Sequence, residues 1–119
     1  MKFQTIGNPN DSLIIMLPGS FWPSSGLNYL YEKLKDDYCI VLVEYNGHYE
    51  NSTFSSRQNE AKGIVEYIQK QNIHTIKMIY GQSMGAEIAI ELFKQLEKTN
   101  IDIDCSFLDG APCIKLPYL

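Results

Sequence analysis

The sequence is poor in the groups that carry common chemistry. Only two histidines occur, His48 and His74, and none follows position 74. Cysteine occurs three times, as Cys39, Cys105 and Cys113, with no C-x-x-C spacing. An odd, scattered set argues against a disulfide framework or a zinc ribbon and for reduced thiols. Cys39 and Cys105 lie inside apolar runs and read as core residues, while Cys113 follows a proline and reads as a loop position. No apolar stretch approaches the roughly 20 residues that span a bilayer. The start, Met1-Lys2-Phe3-Gln4-Thr5, has no signal-peptide character. These absences predict a cytoplasmic protein with no membrane span. A basic excess is missing too: 10 lysines and arginines face 14 acidic residues, for a net charge of −4. Nothing in that balance draws the chain to nucleic acid. Neither G-x-G-x-x-G nor G-x-x-x-x-G-K-[ST] occurs, and His48 has no partner at metal-ligand spacing. No cofactor and no metal are therefore expected.

Apolar residues, by contrast, are plentiful and patterned. They form 45% of the 119 residues, enough for one domain over 1–119. Leu13–Leu17, Cys39–Val43, Ile76–Tyr80 and Cys105–Leu108 are short, nearly continuous apolar runs. Between them lie three stretches with helical spacing. Leu27, Leu30, Tyr31 and Leu34 mark one face, after a start at Pro23-Ser24-Ser25. Ala61, Ile64, Val65 and Ile68 mark a second, opened by Ser55-Ser56 and closed by Asn72. Ala86, Ala89, Ile90, Phe93 and Leu96 mark a third. Lys2–Ile6 adds a candidate leading strand. Strands alternating with helices predict an α/β fold, a mostly parallel sheet with helices on both faces. Ligands bind such sheets beyond the carboxyl ends of the strands. Functional residues should then come from Pro18–Ser25, Tyr45–Ser55, Gly81–Gly85 and the segment from Asp109.

One of these segments holds a chemical motif. Gly81-Gln82-Ser83-Met84-Gly85 is G-x-S-x-G, set between the third strand run and the third helix. A serine on so sharp a turn stands clear of the sheet, and the glycines remove side chains that would collide. The helix that follows aims its first N–H groups at the same point, where they favour negative charge. Leu17-Pro18-Gly19-Ser20-Phe21-Trp22 closes an earlier strand. Its Ser20 (or Phe21) N–H is placed to join that of Met84 around an oxyanion, with Gly19 allowing close approach and Phe21 and Trp22 walling a pocket.

These residues resemble the α/β-hydrolase superfamily, over its N-terminal part, from Leu13 to the end of the chain. Gly81–Gly85 is similar to the family's nucleophile elbow, Leu17–Phe21 to its oxyanion loop, and Asn46-Gly47-His48 with Ser52 to the loop after the next strand. Two departures stand out: Pro18 replaces a common histidine, and Tyr49 replaces a glycine. The resemblance implies a serine hydrolase, of the esterase, lipase, thioesterase or peptidase kind, acting on a small acyl substrate with Ser83 as nucleophile.

A serine nucleophile needs a base, and the family's chain order is serine, acid, histidine. His74 lies before the strand that leads to Ser83, roughly 16 Å away at the other end of the sheet. His48 lies on the correct edge, where the resemblance gives it a loop-shaping role, and it is the candidate base within this chain. Asp109 ends the fourth core strand and is the candidate acid. The leading expectation places the base outside this sequence, with the acid either Asp109 or also outside it. The chain then reads as a truncated hydrolase, inactive alone and prone to self-association or pairing with a missing C-terminal half. A non-catalytic binding or assembly module with the same fold is the competing expectation.

Overall fold

The structure is a computed structural model and describes residues 1–20 and 24–110. Phe21, Trp22 and Cys113 lie outside the described residues. The apolar runs become strands, in the chain order β1 (Lys2–Ile6), β2 (Leu13–Leu17), α1 (Asn28–Leu34), β3 (Cys39–Glu44), α2 (Arg57–Lys70), β4 (Thr75–Gln82), α3 (Met84–Leu96) and β5 (Asp102–Asp109).

The strands form one sheet in the spatial order β1-β3-β2-β4-β5. β3, β2, β4 and β5 run parallel, and β1 joins β3 antiparallel. The sequence supplies the reason. Ile14, Ile15, Met16 and Leu17 of β2 are all buried, as are Cys39 through Val43 of β3, which suits strands covered on both faces. Alternate residues serve opposite layers. Ile15, Leu17, Val41 and Val43 pack with Ala61, Ile64 and Ile68 of α2 and with Ala89 and Leu92 of α3. Ile14, Met16, Ile40 and Leu42 pack on the other face with Leu27, flanked by Leu30 and Leu34 of α1.

The crossovers reverse direction around β2. The connection through α1 carries the chain from β2 to β3, and the one through α2 carries it back past β2 to β4. Parallel crossovers are right-handed, so reversal puts α1 and α2 on opposite faces. It also opens a crevice between the carboxyl ends of β2 and β4, where doubly wound sheets bind ligands.

Three details depart from the sequence expectation. The first helix starts at Asn28, after a 3₁₀ turn over Ser24–Leu27, with no side-chain cap. Gly26 interrupts the segment and lowers its helix propensity. β5 is longer than the apolar run, reaching from Asp102 to Asp109. Cys105 is exposed rather than core. β5 pairs only with β4 among the described residues, so its apolar positions lack the second cover that β2 and β3 have. Phe107 on the same strand is 58% exposed.

Candidate active site

The G-x-S-x-G segment folds as the sharp turn its glycines permit. β4 ends at Gln82, α3 starts at Met84, and Ser83 alone makes the turn with φ 55° and ψ −114°. Those angles match the first central position of a type II′ turn, a site dominated by glycine, asparagine and aspartate. A serine held there stores strain, and such strain clusters at functional sites. Ser83 is exposed, and its N–H donates to the Asp109 carbonyl at 2.8 Å.

The glycines on either side are forced by backbone approach. A Cβ at Gly81 would meet the Gly85 carbonyl at 2.7 Å and the Ala86 backbone at 2.8 Å. A Cβ at Gly85 would lie 2.0 Å from the Leu17 carbonyl and 2.7 Å from that of Pro18. The first turn of α3 therefore presses directly on the end of β2. Gly19 differs. A Cβ there would sit 3.5 Å from the Ser83 Cβ, an ordinary contact. The loop after β2 is a neighbour of the serine, but glycine is not required to bring it there.

Gly19, Ser20, Gln82 and Ser83 line one cavity of about 290 Å³. Two of the four sequence segments thus meet in the crevice between β2 and β4. Met84 opens α3, so its N–H has no acceptor within the helix. Glu87, in the first turn of α3, ion-pairs with Arg57 at the start of α2.

Asp109 lies beside this cavity, in a different opening. It lines an apolar groove of about 320 Å³ with Met16, Leu30, Met78, Tyr80 and Phe107. Burial, then a hydrogen bond with Tyr29, pushes the Tyr80 hydroxyl up to about 12. Tyr80 and Phe107 stack at 5.7 Å.

His48 stands on the loop after β3. β2 separates β3 from β4, so that loop starts about 10 Å from the strand that carries Ser83. The His48 ring meets the Tyr45 ring edge-on at 5.4 Å. Within this loop Gly47, at φ 87°, donates its N–H to Ser52 Oγ at 2.8 Å, and Ser52 donates to the Tyr49 carbonyl at 2.7 Å. His74 is exposed before β4, as expected. It lines a larger cavity of about 620 Å³ with Asp11 and Cys39, at the amino ends of the strands and far from Ser83.

Two residues near the site escaped the sequence reading. Tyr45 is fully buried and donates its hydroxyl to the Pro18 carbonyl at 2.7 Å. Glu60 is 1% exposed. Its carboxylate accepts from the Asn46 N–H at 2.9 Å and from Asn46 Nδ2 at 3.0 Å. Burial, then the charge of Glu60, raises the Tyr45 hydroxyl well above the usual tyrosine range. Glu60 did leave a signal. It stands four and eight residues before Ile64 and Ile68, a carboxylate on an apolar stripe.

A parallel doubly wound sheet with a strained serine between strand and helix defines the class. More narrowly, it is the N-terminal part of an α/β-hydrolase fold, and comparison with solved structures bears this out. An α/β-hydrolase family protein from Desulfitobacterium hafniense superposes with a TM-score of 0.83 at 25% identity, over 92% of this chain and 44% of its own. A marine microorganism esterase gives 0.76 at 21% identity, over 90% and 40%. The fold also matches 1H-3-hydroxy-4-oxoquinoline 2,4-dioxygenase, with 0.70 at 21% identity over 79% and 36%. The chain thus spans less than half the length of these proteins. No protein-family model matches the chain, and no curated protein gives a significant match. Among the described residues no helix is long and apolar enough to cross a membrane, and no group of three or more histidines, cysteines, aspartates or glutamates could hold a metal ion.

Proposed function

We propose that this chain is the nucleophile-bearing part of a serine hydrolase that transfers acyl groups to water. The observation that carries the reading is the backbone of Ser83, at φ 55° and ψ −114° between β4 and α3. Ser83 Oγ would attack the carbonyl carbon of an ester, thioester or amide. Its proton passes to a base, and the carbonyl electrons move onto oxygen. The N–H groups of Met84 and Ser20 hold that oxyanion. When the carbonyl re-forms, the leaving group departs with the proton and an acyl-serine remains. Water then repeats the sequence and releases the acid.

The base is the open position. No histidine follows Ser83 in these 119 residues. In this reading a histidine supplied from beyond the sequence takes the proton, with Asp109 or another carboxylate orienting it. His48 is the in-chain substitute.

The test is labelling by a serine-reactive fluorophosphonate, read by intact mass, with Ser83→Ala as control. Labelling that Ser83→Ala abolishes supports an active serine within this chain. If no labelling occurs even after supplying the complementary half of a related hydrolase, the reading is overturned.

The second reading is a non-catalytic binding or assembly module. The edge of β5, unpaired among the described residues, and the exposed Phe107 favour it. Unpaired strand edges recruit further strands, from a second copy or from a complementary polypeptide.

A further inference from the structure

Tyr45 follows the last residue of β3, yet its hydroxyl acts at the end of the neighbouring strand, β2. The side chain is fully buried, and its hydroxyl donates to the Pro18 carbonyl at 2.7 Å. Phenylalanine would fill the same volume, so the hydroxyl is used for that one bond. The Pro18 carbonyl is confined from a second side as well. A Cβ at Gly85 would lie 2.7 Å from it, so the first turn of α3 abuts the same oxygen. Tyr45 is itself anchored through its neighbour. Glu60 of α2, almost wholly buried, accepts from both the main-chain and side-chain nitrogens of Asn46. A continuous chain of contacts therefore runs from α2 through Asn46, Tyr45 and Pro18 to Gly19 and Ser20, which line the cavity with Ser83.

Peptide planarity makes this chain consequential. The Pro18 carbonyl and the Gly19 N–H share one rigid plane. Fixing the carbonyl fixes that plane and the point from which the Gly19–Ser20 peptide continues. Donors that stabilise a developing oxyanion work by being oriented in advance.

We infer that Tyr45 is a positioning residue: its hydroxyl, through the Pro18 carbonyl, holds the Gly19–Ser20 backbone in place over Ser83. The inference rests on the serine-hydrolase reading for its purpose, but its geometry is testable without it.

The experiment compares the full chain with Tyr45→Phe by two readouts, amide hydrogen exchange and fluorophosphonate labelling of Ser83. Tyr45→Phe should speed exchange at Gly19 and Ser20 at least tenfold while the β3 and β4 amides stay protected. It should slow Ser83 labelling at least tenfold. A buried bond that served only overall stability would raise exchange across all the strands together, and that result overturns the inference. Wild-type exchange rates at Gly19 and Ser20 in the variant also overturn it. If the wild-type chain does not label even with the complementary half of a related hydrolase supplied, the hydrolase reading is overturned while the exchange readout still decides the role of Tyr45. Glu60→Gln provides a second variant should Tyr45→Phe not fold. It keeps the hydroxyl and loosens its anchor, so exchange at Gly19 and Ser20 should rise about threefold. No rise overturns the inference.

Discussion

The main-chain N–H of Ser83 donates to the main-chain carbonyl of Asp109 across 2.8 Å. This bond ties the strained turn to the end of β5 without using either side chain. It helps to hold a residue at angles that serine rarely adopts. The strain should be measurable. Ser83→Gly relieves it and Ser83→Ala does not, so Ser83→Gly should be the more stable of the two by about 1 kcal/mol. Urea unfolding monitored by circular dichroism checks this, and equal midpoints would mean that the turn is unstrained.

The three glycines near the serine should rank by what an added methyl meets. Gly85→Ala drives Cβ to 2.0 Å from the Leu17 carbonyl and should be the most damaging. Gly81→Ala meets backbone at 2.7 Å and should cost about 3 kcal/mol. Gly19→Ala meets only an ordinary 3.5 Å contact and should cost less than about 1 kcal/mol. Because that methyl rests on the Ser83 Cβ, it should still slow labelling of Ser83. Unfolding midpoints of the three variants provide the ranking.

Alkali should reveal Tyr45 and Tyr80. Both hydroxyls are raised in the folded state, Tyr80 to about 12 and Tyr45 beyond the usual range. Their neutral forms are the ones that folding favours. That stabilisation is complete below pH about 10, the unfolded value, and is lost as pH climbs toward and past 12. Tyrosinate absorbance at 295 nm should show a late component that coincides with unfolding. Tyr80→Phe and Tyr45→Phe should each remove part of it. A titration finished before unfolding begins would contradict the burial of both rings.

The rim of the sheet should make the chain associate. β5 has no second neighbour among the described residues, and Phe107 on it is 58% exposed. Sedimentation velocity over rising concentration should show a reversible shift to larger species. Phe107→Ser should weaken that association about tenfold, equivalent to about 1.4 kcal/mol, with little change in unfolding. A monomer at every concentration would remove the support for pairing at this edge.

Much of the architecture was legible in the sequence, for a physical reason. Strands buried on both faces must be apolar throughout, so Leu13–Leu17 and Cys39–Val43 announced themselves. Ser56 as a cap and Asn72 as a terminus were equally local signals, and both occur, Ser56 accepting from the Asn59 N–H and Asn72 at φ 55°. The G-x-S-x-G spacing located the turn at Ser83 because its glycines answer to backbone clashes. Cys105 misled, since an apolar run does not reveal whether a strand is central or at the rim. Tyr45 and Glu60 were missed because their partners, Pro18 and Asn46, lie 27 and 14 residues away. No local pattern encodes such pairs.

The position of β5 also orders how the sheet is assembled. β2, β4 and β5 lie side by side in the sequence in which a ribosome would deliver them. Each strand docks onto a surface already made, and no finished pair must open to admit a later one. β5 comes last on this side, and it carries the carbonyl that receives the Ser83 N–H. During synthesis the serine's turn gains this hydrogen bond only when that strand arrives. The turn of the candidate nucleophile is thus restrained by a strand that follows it in the chain, as well as by the strands before it.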